Sequence, residues 1–243
     1  MKKLKRTVPE NLISLWKAED ELLGWSEEVL QSEEYLLDHL DLIETYIGCV
    51  DMMRKQPLKS ERHTAIAGLF FRSYDSMSHC VRGALSGNYS GSAMYARDLI
   101  ETQFLISYLM QEEGRPEKWL GSEPETARRD YSPVKVRKAL DERDGFKEQK
   151  RHKHYAMLSA LGSHPTPASL ELKRDGTRAI NSGPFKHSQM LKECIQEAAK
   201  AAILLGGVLL VYCNEEVPNG GAIGSRLALV LQRTKSKYFD HRS

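Results

Sequence analysis

The sequence predicts an all-α fold, an antiparallel helical bundle, from three observations. Apolar residues recur at spacings of three and four over most of the chain, which is the period of an amphipathic helix. Capping residues and Gly or Pro stops bound these periodic segments. The connections between the central segments are short, which favours antiparallel neighbours. We therefore expect a single helical domain over residues 1–243.

Two acidic helices are predicted over 10–56. The first covers about Glu10–Gln31, and the second covers about Ser32–Lys55. Pro57 ends the second helix, because proline cannot continue the helical hydrogen-bond pattern. The second helix also carries an apolar stripe at spacings of four and three, made of Leu36, Leu40, Ile43, Ile47 and Val50.

A helical hairpin is predicted over 60–113. Its first helix runs from Ser60, a residue suited to capping the first turn, to Leu85, and Gly87 follows its end. Its second helix runs from about Ser92 to Glu113. Because the loop between them is short, the two helices are expected to be antiparallel neighbours.

The remaining chain is predicted to be helical with one exception. Prolines divide residues 117–145 into short helices and loops, and Phe146–Gly162 returns to a helix. The exception is a small β-hairpin near 169–180, around an Asp-Gly turn. C-terminal helices are expected over 185–237, as Phe185–Cys213 and Gly224–Lys237.

Composition and cysteine usage indicate a soluble protein of a reducing compartment. Of the residues, 41% are hydrophobic and 28% are charged, and the formal net charge is +2. The 4 cysteines are far apart and form no CxxC pair, which excludes a zinc ribbon and a dense disulfide framework. The basic N-terminus lacks the apolar stretch of a signal peptide, and the longest apolar run, 201–213, is shorter than the ~20 residues of a spanning helix. We expect a cytoplasmic protein without a membrane partner.

Charge is distributed unevenly along the chain. Residues 10–46 carry eleven acidic residues and one basic residue, whereas the basic segment 128–154 carries ten Lys or Arg and five acidic residues. One interpretation is a set of solvated faces, or an acidic arm packed on the chain's own basic segment. The other is a basic groove for nucleic acid, with Lys150, Arg151 and Lys153 at its edge.

A row of polar residues on the first hairpin helix is a candidate site. Its members are spaced by three, four and three residues and therefore share one face of the helix: Arg72, Asp75, His79 and Arg82. The carboxylate of Asp75 would hold a ring nitrogen of His79 and fix its tautomer. The opposite face supplies an apolar stripe for the core, made of Ile66, Phe70, Met77 and Val81.

The second hairpin helix is apolar almost all round, yet it contains Arg97, Asp98 and Glu101. Unpaired buried charges cost several kcal/mol, so these residues are expected to pair with one another or with the row on the first helix. Two interpretations remain open. The cluster is either a structural ion network across the hairpin or an acid/base site that faces a phosphate.

His164 is another candidate, because it lies where the helix that ends near Gly162 meets a Pro-rich stretch. It would complement the dipole of that helix, or it would join Arg97 and Glu101 if the helix folds back beside the hairpin. The sequence contains no GxGxxG, P-loop, HExxH, GxSxG or EF-hand motif, so no cofactor and no metal is predicted.

Three segments together resemble a family of helical bacterial proteins related to the HEPN superfamily, which includes helical-bundle ribonucleases and nucleotide-binding proteins of toxin–antitoxin and antiviral systems. They are Arg72–His79 (RSYDSMSH), Ala96–Glu101 (ARDLIE) and Ser159–Pro165 (SALGSHP). HEPN ribonucleases carry an Arg, four to six residues and then a His, and six residues separate Arg72 from His79. The resemblance implies a metal-independent RNA endonuclease that acts as a homodimer. Of the site residues, only Arg72 and His79 match the HEPN pattern. On this hypothesis His79 is the acid/base, Asp75 orients it, and Arg72 with Arg97 binds the phosphate.

Two further functions remain open beside RNA cleavage. The chain would be a non-catalytic interaction protein if its acidic helices or its basic segment dock a protein partner. Alternatively, the bundle would bind a nucleotide without cleavage, in a pocket that uses the same polar cluster, with Arg82, Arg97, Glu101 and His164 as ligand-binding residues.

Overall fold

The structure, a computed structural model, describes residues 8–57, 60–146 and 150–238. Within these ranges it is a bundle of helices without a β-strand, so the predicted all-α fold is confirmed. A π-helical turn, Ser159–Ser163, continues one of the helices. The α-helices are α1 Glu10–Gln31, α2 Glu34–Arg54, α3 Glu61–Leu85, α4 Tyr89–Leu109, α5 Arg115–Leu120, α6 Pro124–Asp130, α7 Pro133–Arg143, α8 Lys150–Leu158, α9 Pro167–Glu171, α10 Ser188–Glu216 and α11 Gly220–Tyr238.

The central hairpin is formed by α3 and α4, as predicted. Ser60 caps α3 by accepting a hydrogen bond from the backbone N–H of His63 at 3.1 Å, and Gly87 follows the end of α3 with a φ of +73°. The second helix begins at Tyr89, three residues before the predicted start. The reason is that Asn88, rather than Ser92, caps it, by accepting from the backbone N–H of Gly91 at 3.1 Å.

The region 117–145 contains short helices and loops, as predicted. Prolines begin these helices, because α5 carries Pro116 in its first turn, α6 carries Pro124 and α7 carries Pro133. A proline is favoured there, since its missing N–H would have no partner within the helix. The helix α7 packs against α4 and thereby borders the candidate site.

The predicted β-hairpin near 169–180 is wrong. Thr166 and Ser169 form a capping box and Pro167 stands in the first turn, so the expected first strand starts as α9 instead. Asp175 does form a turn, because its carboxylate accepts from the backbone N–H groups of Thr177 at 2.9 Å and Ala179 at 3.1 Å. Beyond it the chain pairs through a single antiparallel bridge, between Arg174 and Ile180.

The helix α10 lies at the centre of the bundle and contacts α2, α3, α4 and α11. Its inward residues are small or aliphatic, which lets the surrounding helices approach closely: Ala198, Ala199, Ala202, Leu205 and Leu209. By length and composition alone, α10 would suffice to cross a membrane, and 44% of its apolar window is buried inside the protein. A core helix of a globular protein meets the same criterion.

Of the two acidic helices, α2 packs on a basic helix of the same chain, α11, rather than on the basic segment 128–154. Asp38 of α2 pairs with Lys237 of α11 at 2.9 Å, and Asp41 pairs with Arg233 at 2.6 Å. The partner of the acidic arm is therefore the C-terminal helix. In α1 only the C-terminal half is packed, where Ser26 donates a hydrogen bond to the carbonyl of Leu85 at 2.7 Å.

Candidate functional site

A surface groove of about 660 Å³ runs between α3 and α4. We call it the α3–α4 groove. It gathers six of the residues that the sequence singles out, together with Tyr95: Arg72, Asp75, His79, Arg97, Asp98 and Glu101. The spacing of three and four residues on α3 and on α4 places them there, because both helices turn these faces toward the groove.

His79 is exposed in this groove and stacks on Tyr95, with 4.9 Å between the ring centroids and 25° between the planes. Among the hydrogen bonds of the described residues, none joins it to Asp75. The predicted orientation by Asp75 is therefore absent, because the aromatic contact with α4 positions the ring instead. Tyr95 was not singled out by the sequence.

Arg72 binds α4 across the groove. Its guanidinium pairs with the carboxylate of Asp98, whose other oxygen accepts a hydrogen bond from Ser76 at 2.6 Å. The side chain of Arg72 nevertheless stays 60% exposed. It therefore presents a cation to the groove while Asp98 holds its position.

Arg97 is the centre of a second set of contacts, deeper in the protein. Its guanidinium donates to Glu101 at 2.8 Å, to the hydroxyl of Tyr155 at 2.6 Å and to Ser163 at 3.0 Å. Tyr155 in turn donates to Glu101 at 2.7 Å. The helix α8 and its π-helical turn therefore do fold back beside the hairpin, and they contribute Tyr155 and Ser163.

Arg137 of α7 lies on the other side of this set and is only 5% exposed. Its guanidinium carbon is 4.1 Å from the ring centroid of Tyr155, and that of Arg97 is 5.0 Å from it. We call Arg97, Glu101, Arg137, Tyr155 and Ser163 the Tyr155 cluster.

The Tyr155 cluster contains two cations and one carboxylate. In the part of the chain that the structure describes, no carboxylate pairs with Arg137, and its Nη1 is buried without a hydrogen-bond partner. The Nε of Arg97 is likewise buried and unpartnered. Unsatisfied donors are costly in a protein interior, so we expect a water molecule or an anion to bind them.

The sequence pattern around Arg137 predicts that this residue is buried, although the many charges of the segment favour a solvated surface. Pro133, Val136, Arg137 and Leu140 follow the spacing of one helix face, and Val136 and Leu140 are buried. An arginine within an apolar stripe predicts a buried charge, whereas the segment as a whole resembles a solvated basic surface.

Five predicted binding residues do not line the α3–α4 groove. Arg82 pairs with Asp20 of α1 at 3.2 Å, and His164 is exposed beyond the π-helical turn, where its neighbour Ser163 makes the contact with Arg97. The other three belong to the start of α8: Lys150, Arg151 and Lys153.

Arg151 has a structural environment of its own. It pairs with Asp141 at 2.7 Å and with Asp144, and it stacks on Phe146 at 4.6 Å. Its charge is therefore balanced within the basic segment 128–154. Lys153, by contrast, is exposed on α8.

Comparison of the chain with family models, with curated proteins and with solved structures finds no match. Across residues 8–57, 60–146 and 150–238, no three His, Cys, Asp or Glu side chains gather into a group that could hold a metal ion.

Proposed function

We propose that the α3–α4 groove and the Tyr155 cluster bind a phosphate-bearing ligand, RNA or a nucleotide. The observation that carries this proposal is the excess of cations around Tyr155, where the guanidinium groups of Arg97 and Arg137 both lie against its ring and Glu101 is the single carboxylate of the cluster. A buried cation without a partner costs several kcal/mol, and a bound phosphate would remove that cost. Guanidinium groups bind phosphate oxygens through strong, charge-assisted hydrogen bonds.

The α3–α4 groove supplies what a nucleic-acid ligand needs beyond its phosphate. The stacked pair of His79 and Tyr95 offers a flat aromatic surface, on which a base can stack without a sequence preference. Arg72 provides an exposed cation at the same groove. These features support a single-stranded RNA as the ligand.

The reaction that we propose is metal-independent cleavage of RNA, as the HEPN resemblance implies for a toxin or antiviral-defence protein. His79 accepts the proton of a ribose 2′-hydroxyl, and the 2′-oxygen attacks the adjacent phosphorus. The bond to the 5′-oxygen breaks, that oxygen takes a proton from water, the hydroxide so formed takes the proton from His79, and a 2′,3′-cyclic phosphate remains. Arg72 and Arg97 stabilise the negative charge that develops on the phosphate.

A cleavage assay on labelled RNA, with EDTA present, tests the reaction. We expect His79→Ala to slow cleavage by roughly 10²–10⁴-fold, the usual contribution of a general acid or base. His152→Ala is the matched control, because His152 is exposed on α8 outside the α3–α4 groove. Undiminished cleavage by His79→Ala, or no cleavage by the wild type, would refute the ribonuclease.

Substitution of Arg137 tests phosphate binding separately from cleavage. Arg137→Met removes an unpaired buried charge, so we expect unfolding to cost about 1 kcal/mol more in the absence of ligand. The same change should weaken binding of inorganic phosphate and of AMP at least tenfold, measured by calorimetry. Arg129→Met is the control, since Arg129 is exposed and pairs with Asp130 at 2.8 Å. Equal binding by wild type and Arg137→Met would contradict the proposal.

A second candidate function, protein interaction, is favoured by the N-terminal half of α1. This half extends beyond the packed core and exposes apolar side chains to between 38% and 50%: Leu12, Ile13, Leu15 and Trp16. We propose that a second copy of the chain covers this face, which accords with the homodimer that the HEPN resemblance implies. Exposed apolar patches of this kind commonly mark interfaces.

Sedimentation of the purified protein tests the dimer. We expect a dimer whose dissociation constant rises at least tenfold in the double variant Leu12→Glu, Trp16→Glu. Glu27→Lys, on the exposed side of the packed half of α1, is the control. A wild-type monomer at all concentrations would rule out the second copy.

A further inference from the structure

A pocket of about 290 Å³ lies between α4, α8 with its π-helical turn, and α10. We call it the α10 pocket, and it shares no lining residue with the α3–α4 groove. Its walls are mainly apolar, made of Ala93, Ala96, Met157, Leu158, Leu161 and Met190. Concave, largely apolar sites with a few polar groups are typical of small-molecule binding.

The size of the α10 pocket limits the ligand. A dry cavity of about 150 Å³ holds benzene, so about 290 Å³ accommodates one ring with a short side chain or two small rings. The two methionines on the wall can adapt to such a body, because their thioether chains are flexible and polarisable.

One end of the α10 pocket is charged. Glu197 of α10 lies there with its side chain 20% exposed, and its carboxylate binds His154 at 2.7 Å and the ammonium of Lys200. Burial alone would raise the pKa of Glu197, but the hydrogen bonds from His154 and Lys200 outweigh it and hold the pKa below the ordinary value. The pocket therefore ends in an ionised carboxylate.

One carboxylate at this end of the α10 pocket has no cation beside it in the part of the chain that the structure describes. Glu193 also lines the pocket, and its carboxylate accepts a hydrogen bond at 2.8 Å from the neutral amide of Gln189. Among the described residues no cation pairs with Glu193. Glu197 thus has two basic partners, His154 and Lys200, whereas Glu193 has none within these residues, so Glu193 is the carboxylate that a cation on the ligand can neutralise.

We infer that the α10 pocket binds a small apolar amine, with its hydrocarbon body between α4 and α8 and its ammonium group between Glu193 and Glu197. This binding is independent of the phosphate site, because the two sites share no residue. The ammonium head pairs with Glu193, which has no cation among the described residues of the protein, and the apolar walls exclude water from the body.

Calorimetric titration with three probes of similar shape tests the inference on the full chain. The probes are 2-phenylethylamine, 2-phenylethanol and 3-phenylpropionate. We expect the amine to bind at least tenfold more tightly than the alcohol, and the carboxylate not to bind. Equal binding of amine and carboxylate, or no binding of the amine, would overturn the inference.

Variants locate the bound amine. Leu161→Trp fills the pocket from its rim, and we expect it to abolish binding of the amine. Glu193→Gln should lower the affinity for the amine at least tenfold and leave the affinity for the alcohol unchanged. Glu215→Gln is the control, because Glu215 is exposed at the other end of α10, and it should change neither affinity. Amine binding that persists in both pocket variants would contradict the assignment.

Cys194 gives a readout that does not depend on either substitution. It lines the pocket, and burial raises the pKa of its thiol to about 12, so its alkylation is slow. We expect 2-phenylethylamine to slow this alkylation at least fivefold further, and 3-phenylpropionate to leave it unchanged. An alkylation rate that the amine does not alter would place the amine elsewhere.

Discussion

His39 lies on the inner side of α2, 2% exposed, with the edges of Tyr35 and Tyr238 against its ring. Burial disfavours the imidazolium ion and lowers the pKa of His39 to about 4, although the nearby charge of Asp38 acts in the opposite direction. The native protein therefore holds His39 neutral. An unfolded chain would protonate the same residue near its ordinary pKa of about 6.5.

This difference predicts a pH dependence of stability. Because the folded-state pKa is below the unfolded one, the unfolded chain binds the extra proton first as the pH falls, and stability declines between about pH 6.5 and 4. For His39 alone we expect the free energy of unfolding to fall by about 2 kcal/mol from pH 7 to pH 5. Urea unfolding at both pH values measures it. The loss should shrink in His39→Gln, and an equal loss in that variant would contradict the assignment.

In the Tyr155 cluster, the sequence predicts the contacts within one helix but not the contacts between helices. Arg97 and Glu101, one helical turn apart, were expected to pair, and they do so at 2.8 Å. Their further partners, Tyr155 and Arg137, come from α8 and α7. No local pattern could join them, because the contact depends on how three helices pack.

At the scale of elements, the π-helical turn after α8 determines the geometry of the Tyr155 cluster. Its Gly162 lies so close to α4 that an added Cβ would be 2.5 Å from the backbone nitrogen of Met94. Backbone atoms cannot move aside as a flexible side chain can. Glycine at this position therefore lets the turn approach α4, which places Ser163 within 3.0 Å of Arg97.

Gly162→Ala is expected to lower the free energy of unfolding by about 2–3 kcal/mol, because the methyl group would force the turn away from α4. The matched control is Gly48→Ala in α2, where an added Cβ meets nothing within 4 Å. That change should stabilise the protein by about 0.5–1 kcal/mol, since alanine favours a helix. Denaturant unfolding measures the free energy of unfolding of both variants. Equal changes in the two variants would contradict the close approach of Gly162 to α4.

The predicted β-hairpin near 169–180 is wrong because a helix start directly precedes its first strand. The alternation of Ser169–Lys173 is typical of a strand, but Thr166 and Pro167 directly before it provide a helix start. The cap satisfies backbone N–H groups locally, whereas a lone two-stranded hairpin is only marginally stable. A local helix signal therefore prevailed over a weak strand pattern.

At the scale of the whole molecule, ion pairs join the N-terminal and C-terminal parts of the chain. Asp38 of α2 accepts hydrogen bonds from the hydroxyl of Tyr238 and the ammonium of Lys237, and these hold the pKa of Asp38 below its ordinary value. Arg226 and Arg233 of α11 pair with Asp41 in the same way. The acidic face of α2 is thus covered by the basic face of α11.

Salt should weaken this connection. We expect Asp38→Asn to lower the free energy of unfolding by about 0.5–1 kcal/mol at low ionic strength and by less than half of that in 1 M NaCl. The reason is that ion pairs near the surface contribute little to stability and that salt screens them. Asp51→Asn is the control, since the partners of Asp51, Arg54 and Lys55, lie at the end of its own helix. Denaturant unfolding at both salt concentrations measures the difference. A cost that is independent of salt would contradict an electrostatic origin.

The sequence by itself determined the helices and several of their ends. The N-cap Ser60, the Gly87 end of α3 and the bounds of α1 follow from short-range interactions, which involve residues within one or two turns. It also determined that Arg72 and His79 share one face of α3 and that Arg97 and Glu101 lie one turn apart on α4, two sets that the structure turns toward one groove. Helical spacing fixes such placements regardless of the remaining chain.

Only the tertiary structure decided which distant helices meet. Packing placed α11, not the segment 128–154, against the acid-rich α2, and it brought Arg137 and Tyr155 to Arg97. These contacts arise because each helix must bury its apolar face against another element. The sequence pattern of a helix shows which face is apolar, but it does not show which other helix covers that face. The charges of the site, the stacking of His79 on Tyr95 and the α10 pocket are consequences of that choice.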